Sequence, residues 1–188
     1  MINLSIMKQS LSVHMPRQLA DVGAGEAAVA AILVDAGTEV PDVLLIKRAT
    51  RYDDPWSGQM AFPGGRRESE DRDLIETARR ETLEETGIVL RDEDVIGRLD
   101  DIRPIGPRLP RLVVRPFVFL LSSPPEVVTN DEIDLHLWVK FSNLQDSASS
   151  ARVEVANTTI EVPAFLVGPH VVWGLTERIL NSFIELCH

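Results

Sequence analysis

The chain reads as an α/β protein, and three features of its 188 residues predict that class. Two apolar runs, Ala27–Val34 (AAVAAILV) and Val43–Ile46 (VLLI), stand either side of a turn at Asp35-Ala36-Gly37. An acidic stretch ending ETLEETG has helical spacing and stops at Gly87. Near the C-terminus, Leu175, Ile179, Leu180, Phe183 and Leu186 fall on one helical stripe. With 44% hydrophobic residues the chain can bury a full core. A single domain over residues 1–188 is expected, with 1–26 as an N-terminal extension.

Taken in order, Pro16–Val22 is expected to open a short helix, with proline in its first turn and Gly23 and Gly25 ending it. Strand signals begin only at Ala27, so the segment before Gly23 is expected to be dispensable. By periodicity Ala27–Val34 fits a helix or a buried strand; the second run across a turn favours a hairpin. Ala49–Pro55 reads as a polar loop, and Gly64-Gly65 as a tight turn that allows close backbone approach. Asp71–Asp73 place negative charge where a helix start favours it. Val95–Ile102 and Leu112–Leu121 read as strands, with Pro116 confined to an edge or a bulge. Residues 103–111 (RPIGPRLPR) form a proline-rich loop. Glu132–Val139 resembles an edge strand, and Phe141–Leu144 a short helix or turn. Residues 145–151 are polar and small, hence expected to be mobile, and a hairpin is expected around Asn157.

The chemistry is concentrated in Phe62–Ile88, FPGGRRESEDRDLIETARRETLEETGI. On a helix ending at Gly87, Glu81, Glu84 and Glu85 stand at i, i+3 and i+4, on one face. Most charge runs are solvated helix faces. Three like charges on one face repel, and a bound divalent cation would remove the conflict. Oxygen-only ligands suit Mg²⁺ or Mn²⁺. Outside this segment, Arg48 and Arg51, and Arg103, Arg108 and Arg111 in the proline-rich loop, are the candidates to meet an anionic substrate.

The segment resembles the Nudix box, G-x5-E-x7-R-E-U-x-E-E-x-G-U with U aliphatic. Gly65, Arg80, Glu81, Glu84, Glu85, Gly87 and Ile88 match it. Asp71 stands in place of the first Glu, one residue further from Arg80 than the pattern has it, and Thr82 takes an aliphatic position. LLIKR and SGQMAFPGG upstream, and Trp-Gly-Leu-Thr at 173–176, resemble the coenzyme A pyrophosphatase branch, although Trp56 stands where that signature has His. The resemblance implies a Nudix-type α/β/α sandwich with a mixed β-sheet. It implies metal-dependent hydrolysis of a pyrophosphate bond in a nucleoside diphosphate derivative, with coenzyme A or acyl-coenzyme A as the leading substrate. Gly65, through its carbonyl, with Glu81, Glu84 and Glu85 would hold the metal. Glu81, as base or ligand, Arg80, as the holder of a Glu, and Glu132, before a Trp-bearing strand, would serve catalysis. The alternatives are another nucleotide pyrophosphate, such as ADP-ribose or a dinucleotide polyphosphate, and a non-catalytic ligand-sensing module.

The formal net charge of −10 argues against nucleic acid held on a basic surface. It also means that local arginines and a metal must attract an anionic substrate. Cys187 is the only cysteine, so no intrachain disulfide can form and a reducing compartment is expected. It reads as a packing residue. No apolar run has membrane-span length, and MINLSIMKQS lacks the pattern of a secretory leader. A cytoplasmic protein is expected, and a homodimer stays open.

Overall fold

The computed structural model describes every residue except Met1, Val22, Ala36, Asp53, Pro107, Arg108, Ala156 and Asn157. Helix α1 is Leu4–Val13; strands β1 (Gly25–Val34), β2 (Asp42–Arg48), β3 (Met60–Ala61) and β4 (Gly64–Arg66) follow, then helix α2 (Leu74–Thr86). Next come β5 (Val95–Arg98), β6 (Leu112–Leu121), β7 (Ile133–Lys140) and α3 (Phe141–Asp146). The chain closes with β8 (Ala148–Val155), β9 (Thr158–Val167), β10 (His170–Trp173) and α4 (Gly174–Leu186). Strands β1–β7 form one mixed sheet, in which β1 runs parallel to β6 and the other pairs are antiparallel. Strands β8–β10 form a second, antiparallel sheet.

The continuous apolar run of β1 is a strand because both of its faces are covered. Ala31 and Leu33 pack with Met7, Leu11, Ile179, Leu180 and Phe183 of α1 and α4. Ala28, Ala30 and Ile32 pack with Leu74 and Ala78 of α2 and with Phe119. The sandwich is therefore helix, sheet, helix, as the element order implied. The hairpin is present, with Leu33 opposite Val43.

Several expectations are corrected. The N-terminal helix is Leu4–Val13 and not 16–22, because Asn3 caps it by accepting from the Ile6 N–H at 3.0 Å. Pro16 falls after it. This segment is not a detached extension: Ile2, Met7 and Leu11 are buried in the main core. Asp100 and Asp101 also accept the Arg17 and Leu19 N–H groups at 2.9 and 3.0 Å. Residues 148–151, expected to be mobile, are the start of β8, since each has a partner on β9. Val155 faces Thr158 in that hairpin, whose expected turn residue Asn157 lies outside the described residues. Val95–Ile102 is strand only to Arg98, with Ile102 making one isolated bridge to Val114. Of the two places expected for Pro116, the edge is excluded, since it lies inside β6 between β1 and β5; the register there slips by one residue, from Arg98 opposite Phe117 to Ile102 opposite Val114. The Pro116 carbonyl accepts the Leu99 N–H at 3.0 Å, so its missing donor faces the side where the β5 ladder gives out after Arg98. No helix among the described residues is long and apolar enough to cross a membrane.

Candidate functional site

Helix α2 is fixed at both ends. Asp73 caps its start by accepting the Glu76 N–H at 3.0 Å. Gly87 closes it at φ 70°, donating to the Leu83 carbonyl at 2.9 Å. Thr82 serves in an aliphatic position because its hydroxyl is spent on the Ala78 carbonyl at 2.6 Å, leaving its methyl to the core.

Strand β4 lies against the helix. Gly64 donates its N–H to Glu85 Oε2 at 2.9 Å. The close approach expected of the glycine pair is present, but within a strand and not a turn: Gly64 stands opposite Val29 and Gly65 opposite Ala28. At Gly65 the Glu81 carboxylate occupies the space of a side chain: an added Cβ would stand 2.5 Å from Glu81 Oε2 and overlap the rest of the carboxyl group. Burial pushes the Glu85 carboxyl up to about 8, and burial likewise raises Glu81. Glu84 differs. Its side chain is 54% exposed and reaches Arg80 Nη1 at 3.4 Å. Among the described residues no three acidic, His or Cys side chains converge as a ready metal cage.

Arg80 holds a Glu as expected, but its bidentate fork goes elsewhere: it grips Asp71 through Nε to Oδ1 and Nη2 to Oδ2, both at 3.0 Å. Asp71 is buried and also accepts from Thr77 Oγ1 at 2.8 Å and the Glu68 N–H at 3.0 Å. The Arg80 hydrogen bonds hold its carboxyl well below the usual range. The remaining nitrogen of Arg80, Nη1, meets Glu81 Oε1 at 3.0 Å. The Asp in place of the first Glu is thus an anchor two steps behind Glu81.

A profile for the NUDIX domain matches residues 25–157. The chain belongs to the Nudix hydrolase family. It is 32% identical to a mitochondrial coenzyme A diphosphatase, NUDT8 of Mus musculus, over 149 residues, 78% of this chain and 71% of that protein. An uncharacterized protein of Schizosaccharomyces pombe is 40% identical over 123 residues, 63% of this chain; the match spans 37% of that relative's length. In fold, a MutT/nudix family protein from Enterococcus faecalis is similar at a TM-score of 0.59 and 18% identity, covering 97% of this chain and 68% of that one.

The Nudix helix edges a cavity of about 450 Å³. One end holds Glu81, Glu85, Gly64 and Gly65, with Arg48, Arg66 and Glu132 nearby; the other is apolar, with Trp56, Leu112, Val114 and Leu175. Arg48 lies 3.5 Å from Glu85 and grips Asp54. Glu132 is at the cavity wall, held by Arg51 Nη1 at 3.0 Å. Arg103 and Arg111 do not line this cavity; both pair with Asp21, and Arg103 borders a separate cavity of about 370 Å³. Arg108 lies outside the described residues. Sequence reasoning missed Asp54 and Arg66. An Asp before a Pro signals a turn, but nothing in the sequence ties it to Arg48.

Proposed function

We propose that this Nudix hydrolase cleaves the pyrophosphate bond of coenzyme A or an acyl-coenzyme A, with Mg²⁺ or Mn²⁺. The observation that carries the substrate reading is the 32% identity with the mouse coenzyme A diphosphatase over 78% of this chain. The segments LLIKR and SGQMAFPGG agree with it, and both contribute to the cavity wall.

The metal reading is supported by the donor set. Glu81 and Glu85 are carboxylates whose charged forms burial disfavours, side by side, facing the two glycines of β4. Glu81 and Glu85, with Glu84 and the Gly65 carbonyl, would hold the ion. When bound, a divalent cation offsets the charge of the bridging phosphates and makes water a better nucleophile. Arg80, locked by Asp71, orients the Glu81 carboxylate. Glu81, as base or as ligand, serves the buried end, and Glu132 at the wall is the second candidate to take a proton. Arg48 supplies positive charge for the phosphates, and the apolar end receives the remainder of the substrate.

A second reading, ADP-ribose or a related nucleotide, is favoured by Trp56, an aromatic wall residue where the coenzyme A signature has His. A panel of coenzyme A, acetyl-coenzyme A, ADP-ribose and a dinucleotide polyphosphate, with Mg²⁺ or Mn²⁺ and products resolved by mass, separates the two. Coenzyme A should split into 4′-phosphopantetheine and 3′-phospho-AMP. Hydrolysis of ADP-ribose with coenzyme A untouched would overturn the first reading.

A further inference from the structure

Arg48 has a role toward the phosphates, but its partner Asp54 has none so far. Arg48 ends β2, where the pairing with β7 slips between Lys47 and Arg48. Such irregularities re-aim a side chain, and this one delivers the guanidinium to the cavity. Backbone bonds pin the position from both sides: the Arg48 N–H donates to the Gln59 carbonyl at 3.0 Å, and the Ala49 N–H to the Glu132 carbonyl at 2.7 Å.

Asp54 divides its two oxygens. Oδ1 accepts the Trp56 N–H at 3.0 Å, and the Asp54 carbonyl accepts the Ser57 N–H at 3.0 Å, so the turn is held without Arg48. Oδ2 receives Arg48 Nε at 2.9 Å and Nη2 at 2.8 Å. The third nitrogen, Nη1, stands 3.5 Å from Glu85 Oε1, beyond a normal charge-assisted hydrogen bond. Glu85 Oε2 already accepts from Gly64. Released from Asp54, the guanidinium would close on Oε1, because attraction between opposite charges strengthens where water is scarce.

We propose that Asp54 is a positioning residue: it holds the Arg48 guanidinium back from Glu85, leaving that carboxylate for a divalent cation and Arg48 for the diphosphate. This rests on the reading of the cavity as a metal site. Asp54→Asn is the discriminating change. The amide keeps an oxygen for Trp56 N–H but turns its NH₂ toward Arg48, donor against donor.

The test is calorimetric titration with Mg²⁺ alone, with no substrate and no turnover. The Asp54→Asn protein should bind Mg²⁺ roughly two- to fivefold more weakly than wild type, the scale of one partly exposed ion pair competing with the ion. The Arg48→Gln/Asp54→Asn protein should recover the affinity of Arg48→Gln alone, which a merely structural loss would not permit. Wild-type affinity in Asp54→Asn, or no recovery in the double variant, overturns the proposal. Equal affinity in wild type and Glu85→Gln removes the metal site itself, and the proposal falls with it. Should Asn disturb the loop, Asp54→Ser, whose hydroxyl also accepts from Trp56, decides by the same comparison.

Discussion

Replacing Gly65 by alanine should remove most of the activity and leave the fold intact, whereas the same change one residue earlier should damage the fold. At Gly65 the atoms nearest the new Cβ are those of the Glu81 carboxylate, with Oε2 at 2.5 Å, against an ordinary contact of 3.4–4 Å. That carboxylate ends a flexible side chain and can retreat by about 1 Å, a displacement that can cost about a hundredfold in rate, or roughly 2.7 kcal/mol of barrier. Stability should hold or rise slightly, since glycine within a strand is worth about 0.5–1 kcal/mol less than alanine. At Gly64, φ is +150° and the Cβ would stand 2.6 Å from Val29 Cα and overlap the Ala28 carbonyl oxygen, both in central strand β1. Backbone cannot step aside, so Gly64→Ala should cost about 1–3 kcal/mol or more. Steady-state kinetics on the best substrate of the panel, paired with thermal melts, reads both variants. Wild-type turnover in Gly65→Ala with an unchanged melt would refute the assignment of Glu81 to the reacting end of the cavity.

Burial raises the folded-state Glu85 carboxyl from its ordinary 4.5 to about 8. The stability this contributes is present below pH 4.5 and lost as pH climbs toward 8, so metal-free protein should melt lower at pH 8 than at pH 5.5, by up to a few kcal/mol. Glu85→Gln should flatten that slope, and melts across pH in chelator check it. Asp71 has the opposite sign: its depressed carboxyl stabilises the fold above its ordinary value of 3.8 and loses that contribution as pH falls below it. Asp71→Asn should cost about 1–3 kcal/mol in denaturant titration at pH 7 and also lower turnover, since Arg80 loses its anchor to Glu81. Deleting the residues before Gly23 removes buried Ile2, Met7 and Leu11. At about 1.5–3 kcal/mol each, that loss should unfold the chain or drop its melting temperature steeply, by circular dichroism.

Glu81 and Glu85 on one face of α2, the end of α2 at Gly87 and the β1–β2 hairpin are legible because local rules set them: helical spacing, a left-handed cap, apolar runs across a turn; Glu84 shares the spacing but stays exposed beside Arg80. What escaped depends on contacts distant in sequence. Asp71 gave no sign that Arg80 would grip it, because that requires the loop before α2 to fold back over the helix. Arg103 and Arg111 looked like phosphate ligands by charge, but Asp21, some 80 residues or more away, claims both. Helix α1 was overlooked because two buried residues, Met7 and Leu11, make a thin stripe in ten residues of mixed polarity. Residues 148–151 read as mobile because they are polar and small, and β9 supplies the partners that their composition does not announce.

The central claim is that the α2 carboxylates act in pyrophosphate hydrolysis and are not structural, and Glu81→Gln tests it most directly. The change preserves side-chain volume and removes one partly desolvated negative charge from the cavity. Turnover with Mg²⁺ should fall by about a hundred- to ten-thousandfold, the range for a lost general base. The melting temperature in metal-free buffer should hold or rise. A collapsed melting temperature, with the surviving folded protein as active as wild type, would contradict the claim and make Glu81 a structural residue.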